Sequence, residues 1–371
     1  MEPRSILQIV SGFKPSVDGM GDFSMRLGAV LWMQHSIRSH FLVYRRPQSP
    51  SKPEEIFPNT LSYPKDATPS AFRVHLDELL RERKFGCVLL HYGPYAYSSK
   101  GRPAAFVDAI EELAKSTRLV VFLHEMFASG MPWRRAFWTK PEQKRCVAAL
   151  LRIADVAITS NAGYREGMQP VNFTDREILE IPIFSNLGEP DRLRPLSQRT
   201  RQLVVFGQLA TRLQLYRKYR SSLQEVCNKL RIEKIVDVGS GQSALIPKTV
   251  ARANVVTIGF MEEQQLSDLM ADSIAGIICY HPNIWQKSGV IAAYQAHALV
   301  PILVETHKRS ICGPDFLPYV SPERISQLAA EGTAASDASI QAIADAAHTA
   351  YLRNQSVDRC AEVIARCAFP D

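Results

Sequence analysis

The sequence predicts an α/β protein built as two doubly wound parallel-sheet domains, with further helices toward its C-terminal end. Three observations carry this prediction. Short runs of apolar and β-branched residues alternate with helical patterns along nearly the whole chain, as strands buried on both faces and their crossover helices do. The alternation lapses once, in a polar, proline-containing stretch, and then restarts on the same plan. A length of 371 residues suits about two domains with a core each. The expected organisation is a first domain over 1–185, a linker over 186–201, a second domain over 202–336, and helices over 337–371.

In the first half, residues 5–11 read as a buried strand running into a glycine loop, and Met25, Leu27, Val30, Leu31 and Met33 mark the helix that follows. Residues 41–44 form the next strand, 46–68 an irregular stretch, and 71–83 an amphipathic helix. Strands are then expected at 87–92, 119–123, 156–160 and 178–183, separated by helices near 103–116 and up to 153. In the second half, residues 203–207, 234–239, 254–259, 275–280 and 301–304 read as strands, and 321–367 as alanine-rich helix.

Composition narrows the function classes. The chain is 46% hydrophobic and 22% charged, and no apolar run reaches the roughly 18 to 20 residues that span a bilayer. The N-terminal residues run straight into a strand without a signal-peptide pattern, so the cytoplasm is the expected location. The seven cysteines are scattered and never form a Cys-x-x-Cys pair, which favours reduced core thiols over disulfides or a zinc site. The formal net charge is +7, but the basic residues are dispersed. That distribution disfavours nucleic acid and leaves anionic lipid or a phosphate-bearing small ligand as the partner.

The most specific stretch is Trp285 to Pro301. Ser288 is a good N-cap, small and apolar residues follow it, and Pro301 ends the pattern. Amide N–H groups at such a helix start attract an anion, and Lys287 adds a full charge beside them. A bland alternative has Ser288 capping a core helix and Lys287 in solvent. Gly19 and Gly21 form a second phosphate-compatible loop, although Gly-x-Gly without a third glycine also describes a plain turn. Further polar groups stand at expected strand ends: residues 91–97, His124-Glu125, Gly207 with Arg212, residues 239–241 and Gly259. In doubly wound sheets these carboxyl ends are where ligands bind, and two such domains would face each other across a cleft.

The chain resembles the GT-B class of nucleotide-sugar glycosyltransferases, in particular the group 1, retaining-type family. The resemblance rests on Asp18-Gly19-Met20-Gly21-Asp22-Phe23, His124-Glu125, Ala154-Asp155-Val156-Ala157-Ile158-Thr159-Ser160, Ile181-Pro182-Ile183-Phe184-Ser185-Asn186, Val205-Phe206-Gly207 and the Lys287 to Pro301 corner. It implies two Rossmann-like lobes with the final helices over 337–371 packing back on the first, a nucleotide-sugar donor, and a carbohydrate or lipid-linked acceptor. It implies no cofactor or metal, and peripheral association with the inner membrane face as an option. Carried over by residue, Gly19, Gly21, Gly207, Arg212, Arg217, Gln286, Lys287, Ser288 and Gly289 would bind the donor. Tyr95 and Tyr97 would meet the acceptor, and His124 and Glu125 would lie at the reacting centre. Trp133-Arg134-Arg135 is the segment that could face an anionic membrane. The chain departs from the family at its Glu-x7-Glu pattern, where Gln286 and Tyr294 stand instead. Two other readings stay open: a non-catalytic binding relic of the same fold, and an S-adenosylmethionine-dependent methyltransferase carrying its glycine motif at Asp237-Val238-Gly239-Ser240-Gly241.

Overall fold

The computed structural model describes residues 4–13, 19–45, 60–66, 68–113, 117–128, 130–174, 176–241, 244–308, 318–328 and 335–370. Residues 14–18 of the first glycine loop, residues 46–59 of the irregular stretch, and Cys312 lie outside these. The chain divides into two compact units, Met1–Pro182 with Val357–Asp371, and Ile183–Ser356.

The first unit is a seven-stranded sheet, all of it parallel. Its elements in order are β1 (Arg4–Val10), α1 (Gly19–His35), β2 (Ile37–Val43), β3 (Thr60–Ser62), α2 (Pro69–Glu82), β4 (Cys87–Tyr92), α3 (Pro94–Tyr97), α4 (Ala104–Leu113), β5 (Leu119–Leu123), α5 (Arg135–Ile153), β6 (Val156–Thr159), α6 (Ala162–Met168) and β7 (Ile178–Glu180). The strand order is β3-β2-β1-β4-β5-β6-β7, so the winding reverses between β1 and β4. Strands β4 and β5 are buried at every position, which is why they read as unbroken apolar runs. The expected irregular stretch is corrected at its end: Thr60–Ser62 pairs with β2 from His40↔Thr60 to Leu42↔Ser62. Three residues are too few for a period-two signal.

Among the described residues the second unit has a six-stranded sheet. It contains β8 (Thr200–Phe206), α7 (Leu209–Lys218), α8 (Arg220–Lys229), β9 (Lys234–Val238), β10 (Thr249–Val250), β11 (Ala253–Gly259), α9 (Glu263–Ala271), β12 (Ser273–Tyr280), α10 (Gly289–Ala296), β13 (Val300–Glu305), α11 (Pro322–Gln327) and α12 (Asp337–Asn354). Their order is β10-β11-β9-β8-β12-β13, with the reversal between β8 and β12. Among the described strands of this unit, the short β10 alone pairs antiparallel.

The C-terminal helices part company. Helix α12 packs on α10 and β13 in the second unit, whereas α13 (Val357–Ala368) packs on α1, β4 and β5 in the first. Helix α13 buries Cys360, Ala361, Ile364 and Ala368, one stripe at helical spacing. Its end is tied down twice: Arg118 Nε donates to the Cys367 carbonyl at 2.7 Å, and Phe369 fills the space beside Gly86, where a Cβ would come within 2.2 Å of its ring. Among the described residues no helix is long and apolar enough to cross a membrane.

Candidate functional site

In the first unit the expected residues gather at the reversal point of the sheet. Helix α1 begins against the turn that follows β1, so closely that a Cβ on Gly21 would lie 2.3 Å from the Gly12 carbonyl oxygen. Only glycine permits that approach. Across from it, Gly93 follows β4 with Met20 and Glu125 side-chain atoms 3.6 and 3.7 Å from its Cβ position. Gly19, Gly21, Gly93, His124 and Glu125 therefore sit at the carboxyl ends of neighbouring strands, where open α/β sheets bind ligands.

His124 is 5% exposed and its backbone N–H donates to the Tyr92 carbonyl at 2.9 Å. Its ring stacks on Phe122, with centroids 4.3 Å apart and planes 13° apart, and meets the edge of Phe23 at 5.0 Å. Its Nε2 lies 3.0 Å from Nδ1 of His91, a fully buried residue of β4. Burial alone lowers the His91 imidazole to about 3, so it is neutral at physiological pH. Nε2 of His91 lies 2.9 Å from Gln8 Oε1. The sequence singled out residues 91–97 as a strand end but gave His91 no role. The available signal was a polar residue inside Cys87–Tyr92, matched by Gln8 inside Arg4–Val10.

The two expected acceptor residues separate. Tyr95 is 41% exposed. Tyr97 is corrected: it is buried, its hydroxyl donates to the His91 carbonyl at 2.7 Å, and its ring stacks on Phe106 at 3.8 Å. A short helix one residue past a buried strand turns side chains two residues apart to opposite sides, and Tyr97 takes the inward one.

In the second unit, Gly207 ends β8 with φ of 129°, and its Cβ position is 3.6 Å from Val290 Cγ2. The glycine turn and the first turn of α10 are thus neighbours at the reversal between β8 and β12. Ser288 caps α10, accepting from the Ile291 N–H at 3.3 Å. Gly289 has no atom nearer its Cβ position than Asn186 Nδ2 at 3.9 Å. Gln286 and Lys287 lie half-buried in the turn before the cap, and the Gln286 carbonyl accepts from the Ile183 N–H at 2.9 Å. Tyr294, at the second position of the departed glutamate pattern, is fully buried; its hydroxyl bonds the Val204 and Ile277 carbonyls at 3.2 and 3.3 Å. Gly276 makes room for that ring, since a Cβ there would lie 2.5 Å from it.

Arg212 requires a correction. It is 1% exposed and spends its guanidinium inside the unit, in an ion pair with Asp237 and in hydrogen bonds to four carbonyls, those of Gly207, Gly239, Ser240 and Gly241, at 2.8–3.1 Å. Strand register causes this: β8 and β9 pair with Val205 beside Asp237, which sets a carboxylate under the first turns of α7. Burial pushes the Asp237 carboxyl up, and the adjacent guanidinium pulls it back. Arg217 is exposed in the last turn of α7, at the end of the helix away from Gly207. A cavity of about 1240 Å³ elsewhere in this unit is lined from Val304 to Lys308 and from Pro318 to Arg324, and includes neither Gly207 nor the Lys287 corner. Among the described residues, no three His, Cys, Asp or Glu side chains converge as a metal site would require.

Comparison with protein-family models and with curated proteins finds no match to this sequence. Solved structures do match. An α-glucosyltransferase in complex with UDP is 11% identical with a TM-score of 0.60, covering 98% of this chain and 99% of its own. An α,α-trehalose 6-phosphate synthase from Burkholderia multivorans is 11% identical with a TM-score of 0.59, covering 99% and 98%. WaaG, a glycosyltransferase involved in lipopolysaccharide biosynthesis, is 14% identical with a TM-score of 0.54, covering 99% and 100%. At such identities the likeness establishes the fold: two parallel-sheet α/β units of the GT-B type.

Proposed function

We propose that this GT-B protein is a glycosyltransferase that moves a sugar from a nucleoside-diphosphate donor to a hydroxyl of a carbohydrate or lipid-linked acceptor. The observation that carries the reading is the corner where Gly207 meets the start of α10, with Lys287 immediately before the cap. As the bond between the anomeric carbon and the diphosphate oxygen breaks, negative charge grows on the leaving group. Helix N–H dipoles, and the positive charge of a lysine next to them in the chain, stabilise that charge. The acceptor oxygen bonds the anomeric carbon and loses its proton. His124 and Glu125 are the side chains proposed beside this step. The α-glucosyltransferase structure in complex with UDP, similar in fold, supports a uridine diphosphate donor.

Two alternatives make different predictions. The methyltransferase reading needs the Asp237 to Gly241 loop to receive a ligand, and Arg212 occupies that loop's carbonyls. A binding relic is favoured by the burial of Tyr294, which leaves the family's ribose contact without a carboxylate there. A calorimetric and thermal-shift series with UDP, GDP, ADP and S-adenosylmethionine separates them. Binding of a nucleoside diphosphate is expected. Binding of S-adenosylmethionine alone would overturn the assignment, and diphosphate binding without turnover on any offered acceptor would leave the relic. His124→Ala is expected to lower transfer more than donor affinity.

The proposed location is the cytoplasmic face of a membrane, held peripherally. Met131, Trp133 and Trp138 are 55%, 76% and 66% exposed next to Arg134 and Arg135 at the start of α5, a pairing that suits anionic headgroups. Co-sedimentation with anionic but not zwitterionic vesicles, lost in Trp133→Ser with Arg134→Ser, tests it.

A further inference from the structure

One face of the first sheet carries a line of polar side chains through an otherwise apolar layer. Ser39 on β2, Gln8 on β1, His91 on β4 and His124 just past β5 stand on four adjacent strands, each 5% exposed or less. Period-two geometry puts them on one face: Gln8 pairs with Phe41, two residues after Ser39, and with Leu89, two before His91, while His91 pairs with Phe122, two before His124. Phe23 of α1 lies over the line, with its ring centroid 5.9 Å from His91 and 5.0 Å from His124.

Hydrogen-bond direction along this line is determined once one end is set. Gln8 Nε2 donates to Ser39 Oγ at 2.8 Å, so Gln8 Oε1 is the atom turned to His91, and it can only accept. His91 must therefore carry its proton on Nε2. A neutral imidazole has a single N–H, which makes His91 Nδ1 an acceptor, and the 3.0 Å contact obliges His124 to donate from its own Nε2.

We propose that His91 is a positioning residue for His124: it holds the His124 ring in the Nε2–H form, with the distal nitrogen turned into the unit, and makes Nδ1 the nitrogen through which His124 gains or loses a proton. The consequence for transfer rests on His124 acting at the reacting centre, but the proton arrangement does not. Burial keeps His91 neutral, so the acceptor persists when His124 takes up a proton, and a bond from the resulting imidazolium to His91 is stronger than one from the neutral ring.

Nitrogen-15 NMR of the histidine rings in the intact protein tests the arrangement directly. Expected are slowly exchanging Nε2–H protons on both His91 and His124, and a His91 Nδ1 shift of the unprotonated type. A protonated His91 Nδ1, meaning the line runs the other way with the Gln8 amide reversed, overturns the proposal whatever the protein's activity. Kinetics test the consequence. His91→Gln keeps one donor for Gln8 and one acceptor for His124, whereas His91→Phe keeps neither. With a glycosyl donor, the phenylalanine variant should lose about tenfold or more in kcat with donor KM unchanged and a displaced pH profile, and the glutamine variant should recover most of it. Equal activity and identical pH profiles in the two variants would overturn the positioning role. Should the phenylalanine variant not fold, the ring spectra of the parent and the glutamine variant decide alone.

Discussion

The two units bury polar groups in opposite ways. The first threads neutral side chains, Ser39, Gln8, His91 and His124, through its sheet, each bonding the next. The second buries full charges, Arg212 against Asp237, and uses the guanidinium to tie together the glycine turns after β8 and β9. A neutral line costs little to bury and leaves its last member, His124, with a defined proton. A charged clasp is costly to break, and its arginine is committed to the fold. The difference teaches that a basic residue at the expected position need not be a ligand group, and it leaves the α10 corner as the proposed anion site of the second unit.

The largest effect should come from breaking the clasp. Arg212→Ala leaves Asp237 buried without a counter-charge and is expected to destabilise the protein by about 3–5 kcal/mol in urea unfolding. Arg212→Lys should recover only part, because one ammonium cannot bond four carbonyls and a carboxylate in a fixed fork. An Arg212→Ala protein of normal stability with weakened nucleotide binding would return this residue to the donor site.

Next in size is a dependence on pH that sharpens the contrast. Burial holds His91 at about 3 and His297 at about 4, below the ordinary 6.5. Both folded-state values are depressed, so the unfolded chain binds protons first as pH falls. Stability is complete above about 6.5 and is lost progressively from there down to the folded values. At pH 5 each imidazole should cost about 2 kcal/mol relative to pH 7.5, measured as a drop in urea midpoint. His40, also lowered by burial to about 4, adds a like amount, so His91→Gln should remove about a third of the combined histidine loss. Gly276→Ala, which drives a methyl group into the Tyr294 ring, should cost about 1–3 kcal/mol.

The smallest expected effect is the most specific. Lys287→Ala should weaken nucleoside-diphosphate binding about tenfold, near 1.4 kcal/mol, with the unfolding midpoint unchanged. Unaltered affinity in calorimetry would remove the α10 corner from the donor site and leave the first unit alone as the candidate.

The amino-acid sequence by itself determined the strands, their parallel pairing class and the capped helix at Ser288, because burial on two faces and capping chemistry are local and leave periodic marks. It did not reveal β3 or the antiparallel β10, both too short to carry a period, nor that α12 and α13 would pack in different units. Tertiary structure decided what Tyr97, Arg212, Tyr294 and His91 do. The partner of each comes from elsewhere in the chain: the Ile9 carbonyl, Asp237, the Val204 and Ile277 carbonyls, and Gln8 with His124. Strand register sets those encounters, and register is a property of the assembled sheet, so a polar residue at a strand end becomes ligand group or internal clasp only once its neighbour strand has been placed.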